Sequence, residues 1–157
     1  MCNTGYCWST SAESELVLTF TEMGYLMADT TALAVVQEAW DKWVAADLDG
    51  FVKSFEPDGV WTNAGNNRVS GPRRGHAEIT AVAQLIFEIS GGTMKAQPIE
   101  LAASGEKSVL GFAQLDAERP GATIHQNGLQ RWVVRNSKVV SLDNAFLDQD
   151  EMDKFFK

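Results

Sequence analysis

Two histidines, two cysteines, a pair of adjacent arginines and a scattering of carboxylates are the groups in this 157-residue chain that could support acid/base, metal or anion chemistry. An imidazole titrates near neutrality, which makes His125 a natural candidate for a general base. Its place beside the Pro120-Gly121 turn, on the strand parity opposite to Gln130, favours a structural or surface role instead. His76 follows Arg73-Arg74-Gly75 at the start of a helix and reads as an exposed first-turn residue. Cys2 and Cys7 have no histidine near them, too few ligands for zinc, and a reducing cytosol would keep them as thiols. No metal is expected. The stretch DLDG, Asp47 to Gly50, is a helix-to-helix joint, because Phe51 to Phe55 cannot supply the later oxygen ligands of a calcium loop.

The stretch WTNAGNNRVSGPRRG, Trp61 to Gly75, raises the question of phosphate binding. A Walker loop needs Gly-Lys-Ser/Thr opening directly onto a helix, and a dinucleotide loop needs GxGxxG within a βαβ unit; neither is present. The glycines therefore read as backbone punctuation, with Gly65 and Gly71 permitting positive φ and Gly75 releasing the chain into a helix. Arg73 and Arg74 read as solvated rim charges.

The elements that must position any site follow from periodicity. Leu33, Val36, Trp40, Trp43 and Val44 mark one helical face over Thr31 to Ala46. Asp47 caps a second helix holding Phe51 and Phe55, which ends at Pro57-Asp58-Gly59. Val60 to Asn63 is a short strand, and Ile79, Val82, Ala83, Ile86 and Ile89 mark a helix closed by Gly91-Gly92. Thr93 to Ala103, Ser108 to Glu118, Ala122 to Val134 and Lys138 to Phe146 are strands joined by short turns, an antiparallel meander. Asp148 to Phe156 is a closing helical turn with Met152, Phe155 and Phe156 on its apolar side. In the first thirty residues Leu16, Phe20, Met23 and Met27 suit a helix, while LVLTF alone suits a strand. That segment, with Met23, Tyr25 and Met27, is an extension that could form a lid or join a dimer contact.

One domain fits the length and the 45 % apolar content, and a net charge of -8 with a pI near 4.7 disfavours nucleic acid and anionic membrane surfaces. No apolar run reaches the roughly 20 residues that span a bilayer. The start lacks the basic n-region of a secretory signal, so a cytoplasmic protein is expected.

Helices followed by a long antiparallel sheet give an α+β pattern, with a curved, mostly antiparallel sheet wrapped around helices to form a conical pocket. At this level FEPDGVWTNAGNNRVSGPRRGHAEI, together with the tail WVVRNSKVVSLDNAFLDQDEMDKFF, resembles SnoaL-like (polyketide cyclase-like) proteins of the nuclear transport factor 2-like superfamily. Ketosteroid isomerase and limonene epoxide hydrolase share that fold, a cystatin-like α+β barrel. The resemblance covers residues 31–157, leaving residues 1–30 as the extension, and implies a homodimer.

The resemblance also implies where chemistry sits. Gln130 falls where isomerase-like relatives carry an acidic oxyanion-hole donor, and Asn63 where they carry the carboxylate base. Two amides in those places cannot shuttle a proton near neutral pH. The tyrosine donor of those relatives is replaced by the region of Ala39 and Trp40. Asp143 lies near the acidic residue of epoxide-hydrolase-like and cyclase-like relatives; it is either the acid/base group of the pocket or an aspartate on the outer strand face. A carboxylate enclosed by apolar walls is desolvated, which suits proton transfer. Strand parity puts Gln126, Gly128, Gln130 and Trp132 on one face. Trp40, Trp43, Trp61 and Trp132, with Gln126, are the candidate substrate-binding residues, although large aromatics at these spacings also serve as core. The expected function is a cofactor-free acid/base rearrangement of a hydrophobic molecule in a biosynthetic pathway (cyclisation, isomerisation, dehydration or epoxide opening), with Asp143, Gln130 and Asn63 as catalytic residues. The alternative is a non-catalytic binding protein for such a molecule.

Overall fold

The computed structural model describes residues 20–157, with side chains placed from residue 32 onward. Cys2, Cys7, Leu16 and all of LVLTF except Phe20, which opens helix α1, lie outside the described residues, as do the side chains of Met23, Tyr25 and Met27 on which a lid or dimer contact would depend. Helix α1 (Phe20–Val44) buries Ala32, Val36, Ala39, Trp40 and Trp43, spaced three or four apart as a single helical face requires. Val44, assigned to that face by periodicity, is 55 % exposed, because the helix ends there and the chain turns away through Ala46 at φ 55°.

Helix α2 (Leu48–Lys53) starts at Asp47, whose Oδ1 accepts the Gly50 N–H at 2.9 Å. Phe55 does not share a helix with Phe51. It opens strand β1 (Phe55–Asn63), five residues earlier than the apolar pattern indicated, and the two rings still meet at 5.4 Å between centroids. Strand β2 (Gly71–Arg74), in the stretch read as a bend, pairs antiparallel with β1. Sequence periodicity misses it because Pro72 and two arginines are poor strand signals. At a sheet edge, however, Pro72 sacrifices no interior ladder bond and the arginines remain near water.

Helix α3 (Gly75–Ile89) buries Ile79, Val82, Ala83 and Ile86, and β3 (Lys95–Ala103), β4 (Ser108–Arg119), β5 (Ala122–Arg135) and β6 (Lys138–Phe146) form the antiparallel meander. Strand β6 then pairs parallel with β1, giving the order β2-β1-β6-β5-β4-β3 in one curved, unclosed sheet. This sheet packs around α1 and α3, and helix α4 (Gln149–Phe155) closes the structure with Met152, Phe155 and Phe156 buried. No described helix is long and apolar enough to cross a membrane.

The glycine-rich stretch does grip an anion, and the anion belongs to the chain itself. Asp153 of α4 accepts the Asn66 backbone N–H with both oxygens (3.0 and 2.9 Å), the Asn67 amide at 2.7 Å and the Gln149 amide at 2.9 Å. Gly65, Gly71 and Gly75 all take positive φ, of 107°, 88° and 76°. Arg73 and Arg74 donate to the backbone carbonyls of Pro72, Arg68 and Asp58. Burial pushes the Asp153 carboxyl up, but the hydrogen bonds from Asn67, Gln149 and the Asn66 N–H outweigh it and hold the group below the ordinary aspartate value. A depressed folded-state pKa contributes stability that is complete above the unfolded value, about pH 3.9, and is lost as pH falls through the lower folded value. Asp153→Asn is therefore expected to lower stability at neutral pH and to flatten the acid limb of the stability curve below about pH 4. Urea unfolding at stepped pH measures this, and parallel acid limbs for the two proteins would show that Asp153 is not the group being titrated.

Candidate functional site

Between the sheet, α1 and α4 lies an open hollow with a cavity volume of about 60 Å³. Its walls carry Trp40 and Trp43 from α1, Trp61 from β1, Trp132 from β5 and Met152 from α4, with Phe156 following that helix. Trp43 meets Trp61 edge-on at 5.6 Å and Phe51 at 5.0 Å, while Trp40 is tilted against Trp132 at 6.2 Å. These indoles therefore act both as core and as wall, each at most 8 % exposed.

Three amides interrupt this apolar lining: Asn63, Asn144 and Gln130. Sheet register places them side by side, since Asn63 pairs with Asn144 across β1–β6 and Gln130 pairs with Asn144 across β5–β6. Gly111 continues the same rung on β4. A Cβ there would come within 3.1 Å of Gln130 Oε1, so the glycine leaves the space that the Gln130 amide uses. Asn63 Nδ2 donates to the Val69 carbonyl at 3.2 Å, and Asn144 Nδ2 donates to Asn63 Oδ1 at 2.9 Å. Trp132 Nε1 donates to Gln130 Oε1 at 3.1 Å. Three polar atoms of the lining residues, Trp40 Nε1, Trp61 Nε1 and Asn144 Oδ1, are buried with no partner among the described residues. No described side chain lining the hollow is an acid, a base, a thiol or a phenol.

A family model described as a SnoaL-like domain matches residues 36–142. The chain belongs to the SnoaL-like domain family. No curated protein matches it. Among solved structures, a protein from a soil-derived mobile gene cassette superposes with TM-score 0.78 at 22 % identity, covering 83 % of this chain and 99 % of that one. A Xanthomonas campestris protein with a cystatin-like fold gives TM-score 0.75 at 23 % identity, covering 80 % and 97 %. TerC, co-crystallised with polyporic acid, gives TM-score 0.71 at 19 % identity, covering 80 % and 98 %. These likenesses establish the cone-shaped α+β architecture of the SnoaL-like chain.

Within this SnoaL-like cone, Asn63 and Gln130 both reach the hollow, as do Trp40, Trp43, Trp61 and Trp132. Asp143 does not. It lies on the outer sheet face, its side chain 48 % exposed, 3.7 Å from the Arg131 guanidinium. The cause is a β-bulge. Counting outward from the Asn136-Ser137 turn, Arg135 pairs with Lys138 and Val134 with Val139, which would set Gln130 against Asp143. An extra residue in β6 shifts the register between Val133 and Val134, so Gln130 faces Asn144 and Asp143 turns outward. Asn144 is thus the site residue that sequence reasoning missed, and only the bulge could have pointed to it.

Gln126 shares the inward parity of β5 but does not line the hollow. Its amide clamps the start of α4, accepting the Asp148 N–H at 3.0 Å and donating to the Asp148 carbonyl and to Glu151. His125 is 74 % exposed on the outer face, bonded to Asp116. That bond, with a second from Gln114, holds the Asp116 carboxyl below its usual value. His76 is half-buried rather than exposed, with Nε2 at 3.1 Å from the Phe55 carbonyl. A carbonyl can only accept, so Nε2 carries the proton.

Proposed function

We propose that this protein binds a neutral, hydrophobic small molecule in the conical hollow. One observation carries the reading: every described lining side chain is apolar or a neutral amide or indole, so nothing there compensates a charged ligand or moves a proton at neutral pH. The largely apolar walls, lined by indole faces, suit a ring-containing hydrophobic molecule. The walls contain four indoles, so occupancy should quench or shift tryptophan emission.

The test is a fluorescence titration with neutral polycyclic compounds, repeated for Asp143→Asn. Saturable binding is expected, with affinity unchanged in the variant, because Asp143 sits on the opposite face of the sheet. A large loss in Asp143→Asn would return that carboxylate to the site.

Family membership supports a second reading, a cofactor-free rearrangement in the same hollow. Hydrogen bonds from the amides would then polarise the bound molecule, in place of a side-chain acid or base. Incubation of the bound compound followed by chromatography and mass spectrometry separates the two. Recovery of unaltered compound supports binding alone, and an isomer or dehydrated product supports catalysis.

A further inference from the structure

The three amides of the hollow are not free to turn, and their fixed orientation defines a ligand. Asn63 Nδ2 lies against the Val69 carbonyl, a group that can only accept, so Asn63 must point its oxygen towards β6. Asn144 must answer with its Nδ2, which leaves its Oδ1 buried and without a partner among the described residues. On β5 the anchor has the opposite character. The Trp132 indole can only donate, so it holds Gln130 Oε1 and leaves Gln130 Nε2 without a partner among the described residues. Two hydrogen-bond chains, each started by a group that cannot reverse its role, thus end in an acceptor and a donor. Those ends belong to Cα partners on β5 and β6.

Resting on the reading above, that the hollow takes a neutral apolar molecule, we propose that it selects molecules presenting an acceptor and a donor side by side on one edge. A cis-lactam, or a carbonyl next to a hydroxyl, has this arrangement. The carbonyl would accept from Gln130 Nε2 and the adjacent N–H or O–H would donate to Asn144 Oδ1. A molecule with the carbonyl alone leaves Asn144 Oδ1 buried and unpaired. A ligand ionised at that edge sets its charge against the same oxygen, in a lining with no cation among the described residues. The indole N–H groups of Trp40 and Trp61, in the lining, are two further donors with no partner among the described residues, so additional acceptors elsewhere on the ring system are accommodated.

The test compares two isomers of equal size, 4-methyl-2-quinolone, which keeps the lactam N–H, and 1-methyl-2-quinolone, which lacks it, with 2-methylnaphthalene as an apolar reference. Calorimetry or tryptophan emission on the full chain should show the N–H isomer binding about tenfold tighter, the usual scale for one buried hydrogen bond. In Asn144→Leu the ratio should fall to about one, as expected when the acceptor is gone. If Asn144→Leu does not fold, Asn144→Ala serves in its place: it removes the same acceptor with less bulk, and the ratio should again fall to about one. Equal affinity of the two isomers for the parent protein overturns the proposal, as does a full preference surviving in the folded variant. Failure of all three compounds to bind, the naphthalene included, would instead reject the apolar-ligand reading beneath it.

Discussion

Gly65→Ala is expected to destabilise the protein by about 3–5 kcal/mol, the sum of backbone strain and broken charge-assisted hydrogen bonds. Gly65 holds φ at 107°, a conformation that L side chains rarely adopt. A Cβ there would also overlap the Gln149 amide and the Asp153 carboxylate. Neither can move cheaply, because the same two groups bond to each other and to the Asn66 and Asn67 donors. Gly91 supplies the control. It also has positive φ, 60°, yet a Cβ there meets nothing within 4 Å. Gly91→Ala should therefore cost only the strain, about 1 kcal/mol. Chemical denaturation of both variants isolates the contribution of the loop-to-helix lock. Similar losses at the two positions would mean that the carboxylate does not organise the turn.

Asn63→Asp is the second large effect, and it carries a pH signature. Asn63 is 4 % exposed, among indoles and amides, so an aspartate there is desolvated and its folded pKa is expected to rise. A raised carboxyl pKa leaves the variant near its best stability below the unfolded value of about 3.9, where both states are protonated. Stability then declines as pH climbs towards the raised folded value. A rise of about two to three units corresponds to roughly 3–4 kcal/mol lost by pH 7. In its protonated form the carboxyl can still donate to the Val69 carbonyl and accept from Asn144 Nδ2, so the hydrogen-bond chain survives in acid. The variant should gain stability on moving from pH 7 to about pH 4.5, below the raised value but above the acid limb set by Asp153. Thermal melts at these two pH values are sufficient. An Asn63→Asp protein as stable at pH 7 as the parent would mean that position 63 is hydrated, and the hollow less dry than its lining implies.

The cone was legible in the sequence because its elements declare themselves through period and turn chemistry. Val36, Trp40 and Trp43 recur at helical steps, and Ile124, Trp132 and Val134 share one strand parity. Two features were not legible, and for different reasons. Strand β2 consists of Gly71, Pro72, Arg73 and Arg74, residues whose intrinsic preference argues against a strand; only its place at the edge beside β1 makes them acceptable. Asp143, which resemblance alone brought near the pocket and which could equally face outward, takes the outer face, and the sequence could not decide this because strand parity holds only along an unbroken ladder. The bulge in β6 moves every later side chain to the other face, and no local residue type announces it. The polarity of the site was equally hidden. That Asn144 ends as an acceptor and Gln130 as a donor depends on Val69 and Trp132, and the bond to Val69 closes through a loop that spacing alone cannot position.

The parallel contact between β1 and β6 has a bearing on how the chain is made. Asn63 meets its neighbour 81 residues later, so during synthesis the first strand leaves the ribosome long before the edge it needs exists. The hairpins of β3, β4 and β5 can zip as they emerge, since each pairs with its immediate successor. Trp61 and the aromatics around it meanwhile remain uncovered, in a nascent chain whose sheet is still in two pieces. Slow, non-local closure of this kind exposes greasy surface to chaperones and to sister chains, and β6 is the strand whose arrival ends that exposure.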